Sequence, residues 1–455
     1  MTPRPPRRRT PPPSLGRWTS APLFPGRSAP AQRPSRRWAL STLAAAQAVA
    51  AAVVACRLAR GRRRLPPLLP VPTADVTISV VIPARDEAAR IGPCLRSVLA
   101  APAVTEVIVV DDGSRDGTAE VAASLGAKVV TAEPLPGGWV GKQWALRHGV
   151  AAAVGEMVVT LDADARPAPG LFGALAGALG RYDLVSAGPR FVCDGALEQA
   201  LHASMLATLV YRFGPIGQES PPPPHRVVAN GQCTAFLRDR MLAADGFALV
   251  RDRMTDDVAL ARTLAGRGWR VGFLDAGDLL EVDMHDSVGE LWREWGRSLP
   301  LRDVTGPGRQ AADLAVIWLT GALPVLRLAA GRPTGLDVAL LAMRLLLAGA
   351  LRGSYREPGT GLLLSPLLDP ASALRLTQAT LRPVRTWRGR TYPAAGRGAP
   401  NPSRPAPDVG GAPDVGGGPS DLSSASDLSS ASDVSGALDV SGGARTARPG
   451  RSGAR

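Results

Sequence analysis

Lysine is almost absent from this chain: of 53 basic residues only Lys128 and Lys142 are lysine, a bias that says little about function. Cysteine is also scarce. Cys56, Cys94, Cys193 and Cys233 lie far apart with no CxxC pair, which argues against structural zinc and a disulfide framework and fits a reducing compartment. Residues 1–64 hold no acidic residue at all but carry 14 arginines, so the net charge of +14 belongs to that segment. The remainder balances, 39 basic against 39 acidic residues. A basic arm flanking an apolar stretch suits a membrane surface better than a duplex, so no nucleic-acid partner is expected.

At 455 residues the chain exceeds one ordinary domain. Residues 1–37 are rich in Pro and Arg and predict a disordered basic arm. Residues 38–60 predict a transmembrane anchor. The run from Trp38 to Cys56 is uncharged, and as a helix it rises about 28 Å, close to a hydrocarbon core. A buried or interfacial helix is the alternative. Arginines crowd both ends of the run, so charge does not set its orientation.

Residues 76–300 predict one α/β domain. Val76–Ile82, Glu106–Val110, Lys128–Val130, Met157–Leu161 and Asp183–Ala187 read as strands, with helices such as Glu87–Leu99 and Asp116–Leu125 between them. This alternation implies a Rossmann-like, mostly parallel sheet with helices on both faces. Residues 311–376 hold three apolar stretches, 314–328, 336–351 and 362–376, the first two each interrupted by one arginine, Arg327 and Arg344. They are expected to contact a membrane, although a small bundle is open to them. Residues 398–455 contain a near-hexapeptide repeat (DLSSAS, DLSSAS, DVSGAL) and predict a disordered tail.

Ligands of such sheets collect at the carboxyl ends of the strands. The first strand ends in Pro83-Ala84-Arg85-Asp86-Glu87 and the second in Asp111-Asp112-Gly113-Ser114. Carboxylates there could accept hydrogen bonds from a base N–H and ribose hydroxyls, or simply cap the next helix. No GxGxxG follows the first strand, which removes a dinucleotide site. The fourth strand runs into Asp162-Ala163-Asp164, where two carboxylates can face one Mg²⁺ or Mn²⁺ and a diphosphate. Thr255-Asp256-Asp257 then opens a helical stretch; a carboxylate here could accept the proton of an attacking hydroxyl, with an ordinary N-cap as the plain alternative.

The ordered set ISVVIPARDEA, VDDGS, DAD and TDD resembles glycosyltransferase family 2, and the similarity runs from residue 76 to about 300. That resemblance implies the GT-A fold, a nucleotide-sugar donor and a divalent metal. It implies donor-binding roles for Pro83, Arg85, Glu87, Asp111, Asp112, Lys142 and Asp162, with Asp112 reading the base. Asp164, with Asp162, would hold the metal, and Asp257 would be the catalytic base with Asp256 beside it. Gly137–Trp144 (GGWVGKQW) and Thr386–Tyr392 (TWRGRTY) are similar to stretches of hopanoid- and carotenoid-associated members. Lys142 would then pair with phosphate.

Processive members carry Q-x-x-R-W after the base. Leu291–Arg297 here reads LWREWGR, so transfer of one sugar is expected rather than polymer synthesis. The expectation is an inverting transferase at the cell membrane, its catalytic domain facing the cytoplasm and its acceptor a membrane lipid such as an isoprenoid. A polysaccharide-type or other non-lipid acceptor, or a non-catalytic nucleotide-sugar-binding membrane protein, are the alternatives. A sugar nucleotidyltransferase would need a glycine-rich basic loop where PARDEA stands. Arg36-Arg37 and Val53–Cys56 also permit reading an export signal with a lipid-attachment cysteine, but export would part the enzyme from its donor.

Overall fold

The computed structural model describes residues 36–392, so most of the expected basic arm and the whole expected tail lie outside the described residues. The chain opens with α1 (Arg36–Ala59), which covers the expected anchor. Much of this helix is exposed, including Trp38 and Val49, but one stripe carrying Gln47, Ala50 and Val54 is buried.

The α/β region holds strands β1 (Ile78–Ala84), β2 (Glu106–Asp111), β3 (Lys128–Thr131), β4 (Met157–Leu161), β5 (Ala165–Pro167), β6 (Leu184–Gly188), β7 (Arg190–Phe191), β8 (Cys233–Leu237), β9 (Val271–Asp275) and β10 (Leu280–Val282). Its helices are α2 (Ile91–Leu99), α3 (Thr118–Ser124), α4 (Gly141–Ala152), α5 (Leu171–Ala178), α6 (Gly195–Phe213), α7 (Arg238–Ala243), α8 (Asp256–Gly266) and α9 (Val288–Ser298). Seven strands form one sheet in the order β3-β2-β1-β4-β8-β6-β9. β8 runs antiparallel to both neighbours and the other pairings are parallel. β5, β10 and β7 make a small second sheet. This is the mixed α/β, mostly parallel arrangement expected.

The strands form where β-branched residues run together. β1 and β4 are buried along nearly their whole length because helices cover both faces, which is why they read as continuous apolar runs rather than as alternating ones. One core joins Val80, Ile82 and Val159 to α2 and α5; another joins Val81, Ile108 and Val158 to α4 and α8. Each such side chain is worth roughly 1.5–3 kcal/mol when buried. The helix expected at Glu87–Leu99 begins only at Ile91. Glu87 instead closes a tight turn, accepting at its carbonyl from the amides of Arg90 and Ile91.

Beyond residue 300 come α10 (Pro307–Ile317), α11 (Leu323–Ala329), α12 (Gly335–Ala350), α13 (Thr360–Leu364) and α14 (Asp369–Leu381), then a hairpin of β11 (Thr386–Trp387) and β12 (Arg390–Thr391). A π-helical turn, Trp318–Ala322, joins α10 to α11, so they run as one continuous helix. These helices pack with α1, α6 and α9 around a third apolar core that includes Val54, Leu201, Leu291, Ile317 and Leu347. The third apolar stretch, expected as one helix over 362–376, is broken. α13 ends at Leu364, a 3-10 turn with Pro366 follows, and α14 starts at Asp369. Proline at that point cannot supply an amide to continue the ladder.

The two arginines that interrupt the apolar stretches are paired inside this bundle. Arg327 binds Asp337 at 3.2 Å and the Gln47 side chain of α1 at 2.9 Å. Arg344 binds Asp369 at 2.9 Å and Ser365 at 3.0 Å. Arg212 of α6 reaches Asp313 at 3.3 Å. Residues 40–63 and 307–329 are long and apolar enough to cross a membrane. Both also pack against the protein, so the expected anchor is one member of a bundle.

Candidate active site

Because β1, β2 and β4 are parallel, Pro83, Asp111–Asp112 and Asp162–Asp164 fall along one edge of the sheet. The edge is tied by backbone bonds: the Asp112 amide donates to Ala84 at 2.9 Å and the Asp162 amide to Gln232 at 2.9 Å. The start of α8 is pinned from outside the sheet. Asp303 accepts from the amides of Met254 and Thr255 and from the Thr255 hydroxyl, which fixes where Asp256 and Asp257 point.

A cavity of about 560 Å³ opens at this edge. Pro83, Glu87, Lys142, Asp162, Asp164, Asp256 and Asp257 all line it, so seven of the expected residues come together. Arg85, Asp111 and Asp112 stand behind the wall. The Asp111 carboxylate accepts from the Ser114 amide at 3.3 Å, the turn-capping alternative. Arg85 braces the same turn by donating to the carbonyls of Asp112 and Gly113. Asp112 pairs with Arg390 of the terminal hairpin. Gly141, first residue of α4, allows this crowding: a Cβ there would strike the Asp112 carboxylate and the Arg390 guanidinium.

Lys142 sits on the first turn of α4 and binds Asp162 at 2.7 Å. Burial opposes its charge, but Asp162 and Asp256 outweigh that and hold its pKa above the ordinary value. Asp164 is pushed up to about 7, first by desolvation and then by the charges of Asp162 and Glu87. Asp257 also rises to about 7, by desolvation and the neighbouring Asp256. Its two oxygens accept from the Gly231 amide at 3.0 Å and the Val258 amide at 2.7 Å. Asp256 is raised too, by desolvation against the pull of Lys142.

The cavity also gathers buried polar atoms that have no partner: Glu87 Oε2, Asp164 Oδ1, Gln232 Nε2, His285 Nε2 and Trp295 Nε1. Such atoms cost free energy when left unpaired, which makes this wall a candidate ligand site. Sequence reasoning missed Gln232, His285 and Trp295. The stretch compared with Q-x-x-R-W forms α9, which presents Glu294, Trp295 and Arg297 to the cavity. His285 precedes that helix, and burial lowers its pKa to about 4. A lone histidine outside any motif carried no signal.

A divalent ion fits the residues present. Asp164 offers a free buried oxygen beside a second carboxylate. Among the described residues no three His, Cys, Asp or Glu side chains form a ready-made cage. An ion here would complete its shell with donor phosphate oxygens and water, the usual Mg²⁺ or Mn²⁺ habit.

The model of the family described as "Glycosyl transferase family 2" matches residues 79–242. Two 4,4'-diaponeurosporenoate glycosyltransferases are similar to this chain. The one from Staphylococcus aureus is 42% identical over 89 residues, 19% of this chain and 24% of its own. The one from Staphylococcus haemolyticus is 41% identical over 90 residues, again 19% and 24%. The match thus spans about a quarter of the length of these curated relatives. Among solved structures, a mannosyltransferase from Pyrobaculum calidifontis, in complex with GDP-Man and Mn²⁺, is 21% identical. That alignment covers 75% of this chain and 98% of the other, with a TM-score of 0.49. Residues 79–242, which carry the strand-end carboxylates of β1, β2 and β4, thus form a domain of the glycosyl transferase family 2 type.

Proposed function

We propose that this protein transfers a single sugar from a nucleotide-sugar donor to a lipid acceptor at the membrane, with inversion. One observation carries the reading. The cavity that holds Lys142, Asp162, Asp164 and Asp257 continues along an apolar wall of Leu206, Val210, Phe213, Leu347 and Leu351, contributed by α6, α12 and the turn after it. A polar reaction centre opening onto an apolar channel suits an acceptor with a hydroxyl head and a hydrocarbon tail. The names of the staphylococcal relatives, carotenoid-acid glycosyltransferases, support an isoprenoid acceptor.

Asp257 takes the proton of the acceptor hydroxyl as that oxygen attacks the anomeric carbon. A carboxylate whose pKa lies near 7 is matched to that task at neutral pH. Its bonds from the Gly231 and Val258 amides aim it into the cavity. Asp256 beside it holds the local field that keeps Lys142 charged. Lys142 faces the donor phosphates once Asp162 shares it, and Pro83 and Glu87 wall the donor end. Asp164 and Asp162 would hold a Mg²⁺ or Mn²⁺ ion, which supplies charge neutralisation to the departing nucleoside diphosphate. The domain would face the cytoplasm, where nucleotide sugars are made.

The test is product analysis. Protein in lipid nanodiscs is given labelled nucleotide sugars and an isoprenoid-alcohol or isoprenoid-acid acceptor, then extracted into organic solvent. Label in the organic phase, lost in Asp257→Asn, is the expected result. Label confined to a water-soluble polymer would overturn the lipid acceptor.

A further inference from the structure

The β11–β12 hairpin reaches back across the donor end of the site. Its turn holds two left-handed residues, Arg388 at φ 43° and Gly389 at φ 71°. The Arg388 guanidinium pairs with Glu87 and that of Arg390 with Asp112. Arg85 donates to the Arg388 carbonyl at 3.2 Å, and the Gly141 amide donates to the Tyr392 hydroxyl at 3.2 Å. Glu87, Asp112 and Arg85 are themselves the strand-end residues assigned to the donor. The hairpin strands are two residues each, too short to fix a position by their own ladder. Ion pairs and hydrogen bonds with the site therefore hold the hairpin where it lies.

The charge balance of the site shows what those arginines can do. Glu87, Asp162, Asp164, Asp256 and Asp257 line the cavity, and the cations there besides Arg388 are already engaged: Lys142 by Asp162, Arg64 by Asp275, Arg90 by Glu290 and Arg297 by Glu294. A nucleoside diphosphate entering this field meets carboxylates at nearly every turn and needs cations close by. Arg388 lines the cavity, and Arg390 stands directly behind it on Asp112. Guanidinium forks bind phosphate as well as they bind carboxylate. If Asp112 turns to accept a base N–H, Arg390 loses that carboxylate and its guanidinium is freed for the diphosphate.

We propose that Arg388 and Arg390 are donor-phosphate ligands, and that the hairpin exchanges Glu87 and Asp112 for the nucleoside diphosphate when the donor binds. This rests on the nucleotide-sugar reading of the site above.

Calorimetric titration of the full chain in nanodiscs, with UDP, GDP, CDP, ADP and TDP each in the presence of Mn²⁺, tests it. The nucleotide that wild type binds should bind R388A/R390A about tenfold more weakly or worse. R388K/R390K should fall between the two, because lysine keeps the charge and loses the fork, and this variant serves if the alanine pair fails to fold. Trypsin cleavage after Arg388 and Arg390 should slow when that nucleotide is added to wild type. Unchanged affinity in both double variants would overturn the proposal. Tighter binding would also overturn it, since the hairpin would then only obstruct the site. If wild type binds none of the five diphosphates, the donor reading itself falls.

Discussion

Two regions of this molecule bury charge, and they treat it in opposite ways. In the helical bundle every charge described above is answered from within: Arg212 by Asp313, Arg327 by Asp337, Arg344 by Asp369. Ser204 bonds Asp369 and Ser365 bonds Arg344, so the last pair is answered on every atom but Arg344 Nη1. At the sheet edge, carboxylates crowd one another, Asp164 and Asp257 rise to about 7, and Asp164 and Glu87 keep a bare oxygen. Internally closed charges hold a structure together. Open ones wait for something from outside, which on the proposed function is a cation, a diphosphate and an attacking hydroxyl.

The largest expected effect breaks the open set. Asp257→Asn should lower single-turnover rate by roughly 10²–10⁴-fold with donor affinity near wild type, measured beside Asp256→Asn as a control. The Gly231 amide bond means this change also loosens one loop, so melting temperature is read in parallel. Near wild-type turnover would remove Asp257 from the mechanism. Asp164→Ala and exhaustive chelation should each abolish turnover, and full activity after chelation would sink the metal role.

Next comes the closed set. Asp369→Ala strands Arg344, which is 1% exposed, and should cost about 3–5 kcal/mol of stability in a denaturant titration. Arg344→Met with Asp369→Leu should recover most of that loss, because the pair goes together. A destabilisation of the double variant as large as the single would show that the pair does more than satisfy itself.

A smaller effect of opposite sign sharpens the contrast. Asp164 has a folded pKa near 7, above its ordinary value, so the folded state binds the extra proton. Its contribution to stability is therefore greatest at low pH and is lost as pH rises toward and past 7. Asp164→Asn should raise the melting temperature at pH 8, by about 2–4 °C for each kcal/mol relieved, and much less at pH 5. An unchanged or lower value at pH 8 would contradict the desolvated carboxylate. The smallest effect is expected at the end of the chain: removing residues 398–455 should leave turnover and melting temperature as they were.

Much of the α/β region was legible because its signals are local. β4 was read at its observed bounds, Met157–Leu161, since a β-branched run closed by turn residues needs no distant information. The strand-end acids were legible for the same reason. β8 was not: Cys233–Leu237 is a short, mostly apolar run without a pattern of its own, and its antiparallel insertion between β4 and β6 depends on partners far away in sequence. Arg327 and Arg344 looked like interruptions of apolar helices. Only the fold supplies Asp337 and Asp369 to answer them.

By itself the sequence determined the sheet's early strands, the order of acidic motifs at their ends and the apolar character of the flanking helices. Those follow from side-chain periodicity and from the chemistry that turn residues permit within a few positions. The tertiary structure decided which acids face one cavity and which, like Asp111, cap a turn. It decided that His285 and Trp295 join the site and that Arg390, 278 residues from Asp112, sits upon it. Contacts of that kind arise only when long-range packing brings chemically ordinary residues together, and no local pattern encodes them.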